Sequence, residues 1–399
     1  MDLRLDATHL ELRDSVRAFL REQWREGSSP EKTTAFRAAA VDRGYVYRSI
    51  PREFGGAGRE PDPVAEDVIQ TEFAAAGAPL GLVGEGPDML APTLLHHGTD
   101  EQRREFIAAT LSGDITWCQG YSEPGAGSDL ASLTSRAELD GDEWVITGQK
   151  IWTSSAHIAD WMFALIRTEP DQPRHRGISY LLIPMDQPGV EVRPLKQITG
   201  GDEFNQVFLD EARTHVRYTV GERGAGWGIS RTTLAHERAL IGNPRKALQQ
   251  FQDLLELARR VDRGGRPAIE SADVRQRLLD IEGYLLSQKY TRYRILSAAN
   301  TNDEQSVEVP MLVSKLHTTE IGKKIVRLAY DLLGADESLR TPDPQFALFG
   351  GADRPGGWSA KYLFSHGSAL GGGAPNIQRN VIGERALGLP RDIRGSRKP

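Results

Sequence analysis

Apolar residues change their spacing twice along this chain, and the changes divide it into a helical block, a β-rich block and a second helical block. Short runs with strand character, Glu143-Trp144-Val145-Ile146, Trp161 to Ile166 and Ile178 to Ile183, are confined to the stretch between Ile115 and about Tyr218. Gly141-Asp142, Thr147-Gly148 and Gln187-Pro188-Gly189 punctuate them as turns, which predicts a compact β-barrel or sandwich. Ahead of this block, Thr8 with Glu11 and Thr99 with Gln102 form capping-box patterns before the apolar positions Leu12, Val16, Phe19 and Leu20 and before Phe106 and Leu111; Gly113 suits a helix stop. Beyond Gly228, helical periodicity marks segments near 229 to 262, 271 to 299, 309 to 333 and 375 to 388. Ser271 is a candidate N-cap there, Pro310 and Pro375 suit first turns, and Gly334 suits a stop. Asp336 to Gly357, rich in Pro and Gly, reads as a long loop.

The expectation is an α+β multidomain chain: a helical N-terminal domain over 1–114, a β domain over 115–228 and a C-terminal four-helix bundle over 229–399. With 399 residues, 39% of them hydrophobic, the chain can bury the cores this requires. A formal net charge of −6 argues against a general nucleic-acid binder, which needs a basic surface to neutralise phosphates. The basic clusters Arg259, Arg260, Arg263 and Arg266, and Arg391, Arg394, Arg397 and Lys398, read as solvated faces. No apolar stretch reaches the roughly 18 to 20 residues of a membrane span, and the N-terminus lacks the pattern of a signal peptide, so a cytoplasmic location without membrane contact is expected. Cys118 is the sole cysteine, which rules out an intrachain disulfide, and the nine histidines show no metal-ligand spacing; no metal is expected.

Two segments carry chemistry. Gln119-Gly120-Tyr121-Ser122-Glu123-Pro124-Gly125-Ala126-Gly127-Ser128-Asp129 and Gly148-Gln149-Lys150-Ile151-Trp152-Thr153-Ser154-Ser155 both fall in the β block. Glycines let backbone amides approach a pyrophosphate, hydroxyls cap ring heteroatoms, and a tryptophan supplies a flat wall. Taken singly, the glycines build a tight loop, Trp152 is a core aromatic, and the serines cap turns. Together they resemble the flavin-binding signatures of the acyl-CoA dehydrogenase family. Ile50 to Gly58 and Ile377 to Arg385 resemble that family's N-terminal and C-terminal signatures, so the likeness spans nearly the whole chain.

The resemblance implies FAD as cofactor, with Gln119, Tyr121, Ser122, Gly127, Ser128, Trp152 and Ser154 as its contacts, and Ser128, Arg238 and Gly372 beside the substrate. It implies an acyl-CoA or acyl-carrier thioester oxidised to the 2,3-enoyl thioester, an electron acceptor such as electron-transfer flavoprotein, and a homo- or hetero-oligomer. The reaction needs a base for the α-proton while the β-hydrogen leaves as hydride. Many relatives carry it as Tyr-Glu-Gly-Thr before the Ile-Gln-Arg motif; here Gly371-Gly372-Gly373-Ala374 stands there, with Gly372 in place of the glutamate. Glu237 occupies the position used by the isovaleryl-type branch, and Leu234, Glu237, Ile241 and Leu248 fall on one helical stripe. An ion pair with a neighbouring arginine is the structural alternative for Glu237. His236 and Asp129 are weaker candidate bases, Asp129 being better suited to ordering its loop. The family's Arg-x-x-Phe-Gly and Gln-x-x-Gly-Gly segments are degraded here, at Arg260 to Pro267 and Tyr330 to Ala335. That leaves two other readings: a half-site subunit of a heteromeric dehydrogenase, and a flavin monooxygenase on the same fold.

Overall fold

The computed structural model describes residues 5–25, 27–242, 245–300, 304–338, 340–342 and 357–390. Most of the expected 336–357 loop and the basic residues from Arg391 onward lie outside the described residues. Close packing divides the chain into two units, one of residues 2–197 with 202–237 and one of 198–201 with 238–399.

The first unit begins with α1 (Ala7–Gln23), α2 (Pro30–Asp42) and α3 (Pro63–Ala75), which close around Phe19, Phe36 and Phe73. Asp6, not Thr8, caps α1: its carboxylate accepts from the His9 amide at 2.9 Å. An ionised acceptor at the positive end of the helix is the stronger cap, and Thr8 falls inside the first turn. α4 (Ala91–His97) and α5 (Asp100–Ser112) follow. α5 has the predicted box, Thr99 accepting from the Gln102 amide at 3.2 Å and Gln102 from the Thr99 amide at 3.0 Å, and it stops at a left-handed Gly113.

The strands are β1 (Trp117–Gly120), β2 (Arg136–Asp140), β3 (Glu143–Ser154), β4 (Trp161–Arg167), β5 (Ile178–Pro184), β6 (Val190–Pro194), β7 (Phe204–His215) and β8 (Thr219–Val220). They form one sheet in the order β6-β7-β3-β2-β4-β5-β8, with β1 parallel to β4. β4 explains why its run is apolar throughout. Phe163 and Leu165 enter a core with Leu90, Leu94 and Phe106 of the helices, while Met162, Ala164 and Ile166 enter another with Trp144, Ile146 and Val207. Side chains alternate across a strand, and both faces are covered here.

The predicted 229 to 262 segment is two helices, α6 (Gly226–Ile241) and α7 (Arg245–Arg260). In the second unit α7, α8 (Ala272–Asn300), α9 (Glu304–Ser338) and α10 (Gly357–Ser368) meet around Phe251, Leu254, Ile281, Ile325, Leu328 and Trp358. Pro310 lies inside α9 and not at its first turn, so it removes one backbone hydrogen bond of the helix and crowds the carbonyl one turn before it. Gly334 breaks α9 with φ 60°, as its expected stop. Pro375 opens α11 (Pro375–Val381). α10 has no counterpart among the predicted segments.

Candidate active site

β1 ends at Gly120, where a Cβ would collide with Met162 Sδ of the neighbouring strand, and the first motif leaves the sheet from there. Ser122 and Glu123 turn back toward β3: the Ile151 amide donates to the Ser122 carbonyl at 2.9 Å, which ties the two motifs together. A buried ion pair makes the second tie. Lys150 Nζ lies 2.8 Å from Glu123 Oε1 and donates to the Leu165 carbonyl at 2.8 Å. The same carboxylate accepts from the Thr134 amide at 2.6 Å, the Thr134 hydroxyl at 2.8 Å and the Ser135 amide at 2.9 Å. Burial alone would push the Glu123 carboxyl up; the Lys150 ammonium and these donors outweigh it and bring it down to about 2.

Beyond that tie the loop is open. Added Cβ atoms at Gly125 and Gly127 would meet nothing within 4 Å, so neighbouring packing does not demand glycine there, and the backbone is open to close approach by a ligand. Ser128 is exposed, and Asp129 pairs with Arg174 and so orders the loop. On β3 the register shifts between Lys150 and Thr153, and Trp152 takes a left-handed φ of 61° that turns its ring outward, 60% exposed with Phe204 at its edge. Trp152 is therefore not a core aromatic. The Gln119 side-chain amide nitrogen and the Thr153 hydroxyl are buried in the protein without a partner. An exposed flat ring, backbone open at two glycines and orphaned polar atoms fit a flavin dinucleotide.

Ser154 is half-buried at the end of β3, and the structure also partly buries Glu85, a carboxyl absent from the sequence-based candidates. Burial raises the Glu85 pKa, with the Asp88 charge adding to it. The only local sign of it is a glutamate held between Gly84 and Gly86 ahead of the turn Gly86–Leu90.

Tyr121 turns inward, 4% exposed, with its hydroxyl beside Tyr180 and Thr233. Burial drives that hydroxyl well above its usual range, Tyr180 adds to the rise, and the charge of Glu237 adds more. Thr233 of α6 donates to the Tyr180 hydroxyl at 3.4 Å, the Tyr180 ring lies 6.2 Å from that of Tyr121, and the half-buried Glu237 stands one turn beyond Thr233. Leu234 is half-buried on the expected stripe; the Ile241 side chain is outside the described residues. Burial lowers His236, whose ring stacks on His96 at 6.5 Å.

Arg238 and Gly372 belong to the second unit. Arg238 is exposed. Gly372 has φ 64°, and its loop is pinned: Lys315 Nζ donates to the carbonyls of Ala369 at 2.9 Å and Gly373 at 2.7 Å, and Gln378 Nε2 donates to that of Gly372 at 3.0 Å.

Comparison with known proteins follows this geometry domain by domain. The N-terminal, middle and C-terminal domains of acyl-CoA dehydrogenase match residues 6–114, 118–211 and 224–387. Acyl-CoA dehydrogenase IpdE1 of Mycobacterium tuberculosis is 40% identical over 377 residues, 93% of this chain and 91% of that protein. The bovine mitochondrial short-chain specific acyl-CoA dehydrogenase is 29% identical over 346 residues, 83% of this chain and 82% of that protein. Among solved structures, the Tcur3481-Tcur3483 steroid ACAD superposes with a TM-score of 0.78 at 30% identity, covering 98% of this chain and 100% of that one. The ChsE4-ChsE5 complex from Mycobacterium tuberculosis does so with 0.76 at 30% identity, again covering 98% and 100%. Three matching domains in order and a full-length relative at this identity establish that the chain belongs to the acyl-CoA dehydrogenase family.

Proposed function

We propose that this FAD-dependent oxidoreductase converts an acyl-CoA to its 2,3-enoyl thioester with Glu237 as the base. The observation that carries the reading is the packing of α6 on Tyr180 through Thr233, which sets the half-buried Glu237 one turn from the Tyr180–Tyr121 pair, next to the serine that opens the flavin loop. Glu237 takes the α-proton on a carboxylate oxygen, and the β-hydrogen departs with its electron pair. Bound FAD supplies the acceptor for that hydride. Ser122 and Ser154 orient the ring, Trp152 packs on it, and Gly127 and Ser128 receive the pyrophosphate through backbone and hydroxyl. The steroid acyl-CoA dehydrogenase among the similar structures, together with the side-chain volume missing at Gly371 to Gly373, supports a bulky ring-bearing acyl group. Electrons then pass to an acceptor such as electron-transfer flavoprotein.

The purified protein is expected to carry flavin absorption that bleaches anaerobically with a ring-bearing acyl-CoA faster than with a straight-chain one. The Trp152→Ala, Ser154→Ala double variant is expected to lose most of its flavin. Full flavin retention in that variant removes the site, and no bleaching with any acyl-CoA removes the reaction.

A two-chain enzyme is the second reading, favoured by the paired chains of the similar structures. α8 exposes Leu279, Leu286 and Tyr290, with Gly283 on the same helical stripe. An apolar stripe of this kind suits a permanent interface. Light scattering is expected to give at least a dimer, alone or on addition of a partner chain; a concentration-independent monomer that still holds flavin and turns over contradicts it.

A further inference from the structure

We propose that Asn205 is a positioning residue for the flavin wall: by holding the bulge of β3 against β7, it keeps the Trp152 ring turned outward to receive FAD. This rests on the reading of Trp152 as a flavin contact.

The pairing of β3 with β7 is out of step by one residue. Lys150 pairs with Val207 and Thr153 with Asn205, so Ile151 and Trp152 of β3 face the single Gln206 of β7. Trp152 takes up the surplus with its left-handed φ of 61°, a conformation that a bulky side chain keeps only where its surroundings impose it. Two holds flank it. On one side the Ile151 amide is tied to the Ser122 carbonyl of the first motif. On the other, Asn205 Nδ2 donates to the Thr153 carbonyl at 3.0 Å and to the Glu203 carbonyl at 3.0 Å. The Glu203 carbonyl also accepts from the Ser155 amide at 2.9 Å, so this side-chain amide and this carbonyl link β7 to the residues on both sides of Ser154. Phe204, next to Asn205, sets its ring edge-on to Trp152 at 6.3 Å.

Asn205 is fully buried, and chemistry dictates which way its amide points. The two backbone carbonyls facing it can only accept, so it must present its nitrogen to them. That orientation holds although it leaves Oδ1 buried without a partner among the described residues. His157 Nδ1, on the loop after β3, lies 3.3 Å from the same nitrogen. Without the donor, the two strands are free to close toward regular pairing. Trp152 then returns to extended backbone, and a shift of one residue sends a strand side chain to the opposite face.

The test is FAD affinity, measured by titrating apoprotein with FAD, in a cycle of single and double variants. Asn205→Leu keeps the volume but cannot donate, and it is expected to weaken FAD binding about tenfold, the equivalent of one to two hydrogen bonds. Asn205→Asp, of the same shape and without a donor when ionised, is expected to do the same. In the Trp152→Ala background, Asn205→Leu is expected to change FAD affinity by less than about twofold, because the ring it places is gone. A loss of equal size in both backgrounds marks a general structural role and overturns the proposal, as does unchanged affinity in Asn205→Leu. If Trp152→Ala alone leaves FAD affinity unchanged, the reading of Trp152 as a flavin contact falls, and the proposal with it. Should Asn205→Leu fail to fold, Asn205→Ser takes its place in the same cycle. Its one hydroxyl proton for two carbonyls is expected to give a smaller loss with the same dependence on Trp152; no loss, or a loss independent of Trp152, overturns the proposal.

Discussion

Glu237→Gln is expected to purify with its flavin and to lose about 10² to 10⁴ in the rate of acyl-CoA oxidation, the usual cost of removing a positioned general base. Anaerobic mixing with substrate reads this directly, because the variant should bind acyl-CoA yet leave the flavin oxidised. The size of the effect follows from the surroundings. Glu237 is half-buried on α6, and the hydroxyl cluster of Thr233, Tyr180 and Tyr121 lies on the preceding turn and behind it. Glutamine preserves size and polarity there while removing the proton acceptor. Normal turnover in this variant would move the base elsewhere or to a partner chain.

Lys150→Met is expected to be the most destabilising of the single changes considered. It leaves Glu123 as a buried charge with hydrogen-bond donors but no counter-ion, a defect that costs about 3 to 5 kcal/mol. Thermal unfolding should fall by several degrees, and flavin should be lost along with it because Glu123 and Lys150 join the two motifs. The pH dependence has a definite sign. Glu123 has a folded pKa of about 2 against an ordinary 4.5, so its contribution is fully present above pH 4.5 and disappears as pH falls through 2. Wild type and Glu123→Gln should therefore differ least in stability at the acid end; a gap that widens on acidification would refute the pairing.

How far the sequence reads depends on whether a feature is periodic. β4 and β5 were legible because residues buried on both faces leave an unbroken apolar run, and α5 because Thr99 and Gln102 satisfy each other locally. The cap of α1 was misplaced since two candidate acceptors, Asp6 and Thr8, stand two residues apart, and only the backbone decides between them. α10 is short, and the stretch before it offers no pattern to anchor its start. The outward turn of Trp152 arises from a register shift against β7, which no property of Trp152 itself announces. Glu85 was invisible for a related reason: its raised pKa comes from burial by the fold, and its own neighbours carry no motif. Glu237 stood out as a candidate because it breaks an apolar stripe, a contradiction visible in one dimension.

The left-handed backbone at Gly372 also bears on how such a site can change over evolutionary time. Any side chain there costs roughly 1 to 2 kcal/mol in backbone strain, before its fit is considered. The clamps from Lys315 and Gln378 hold that backbone through carbonyls, which persist whatever residue stands at 372. A single codon change toward glutamate would thus bring strain before it brought a useful carboxylate. With Lys315 and Gln378 holding this loop, a carboxylate at 372 is not reached in one favourable step, which agrees with the proposal of a base on α6.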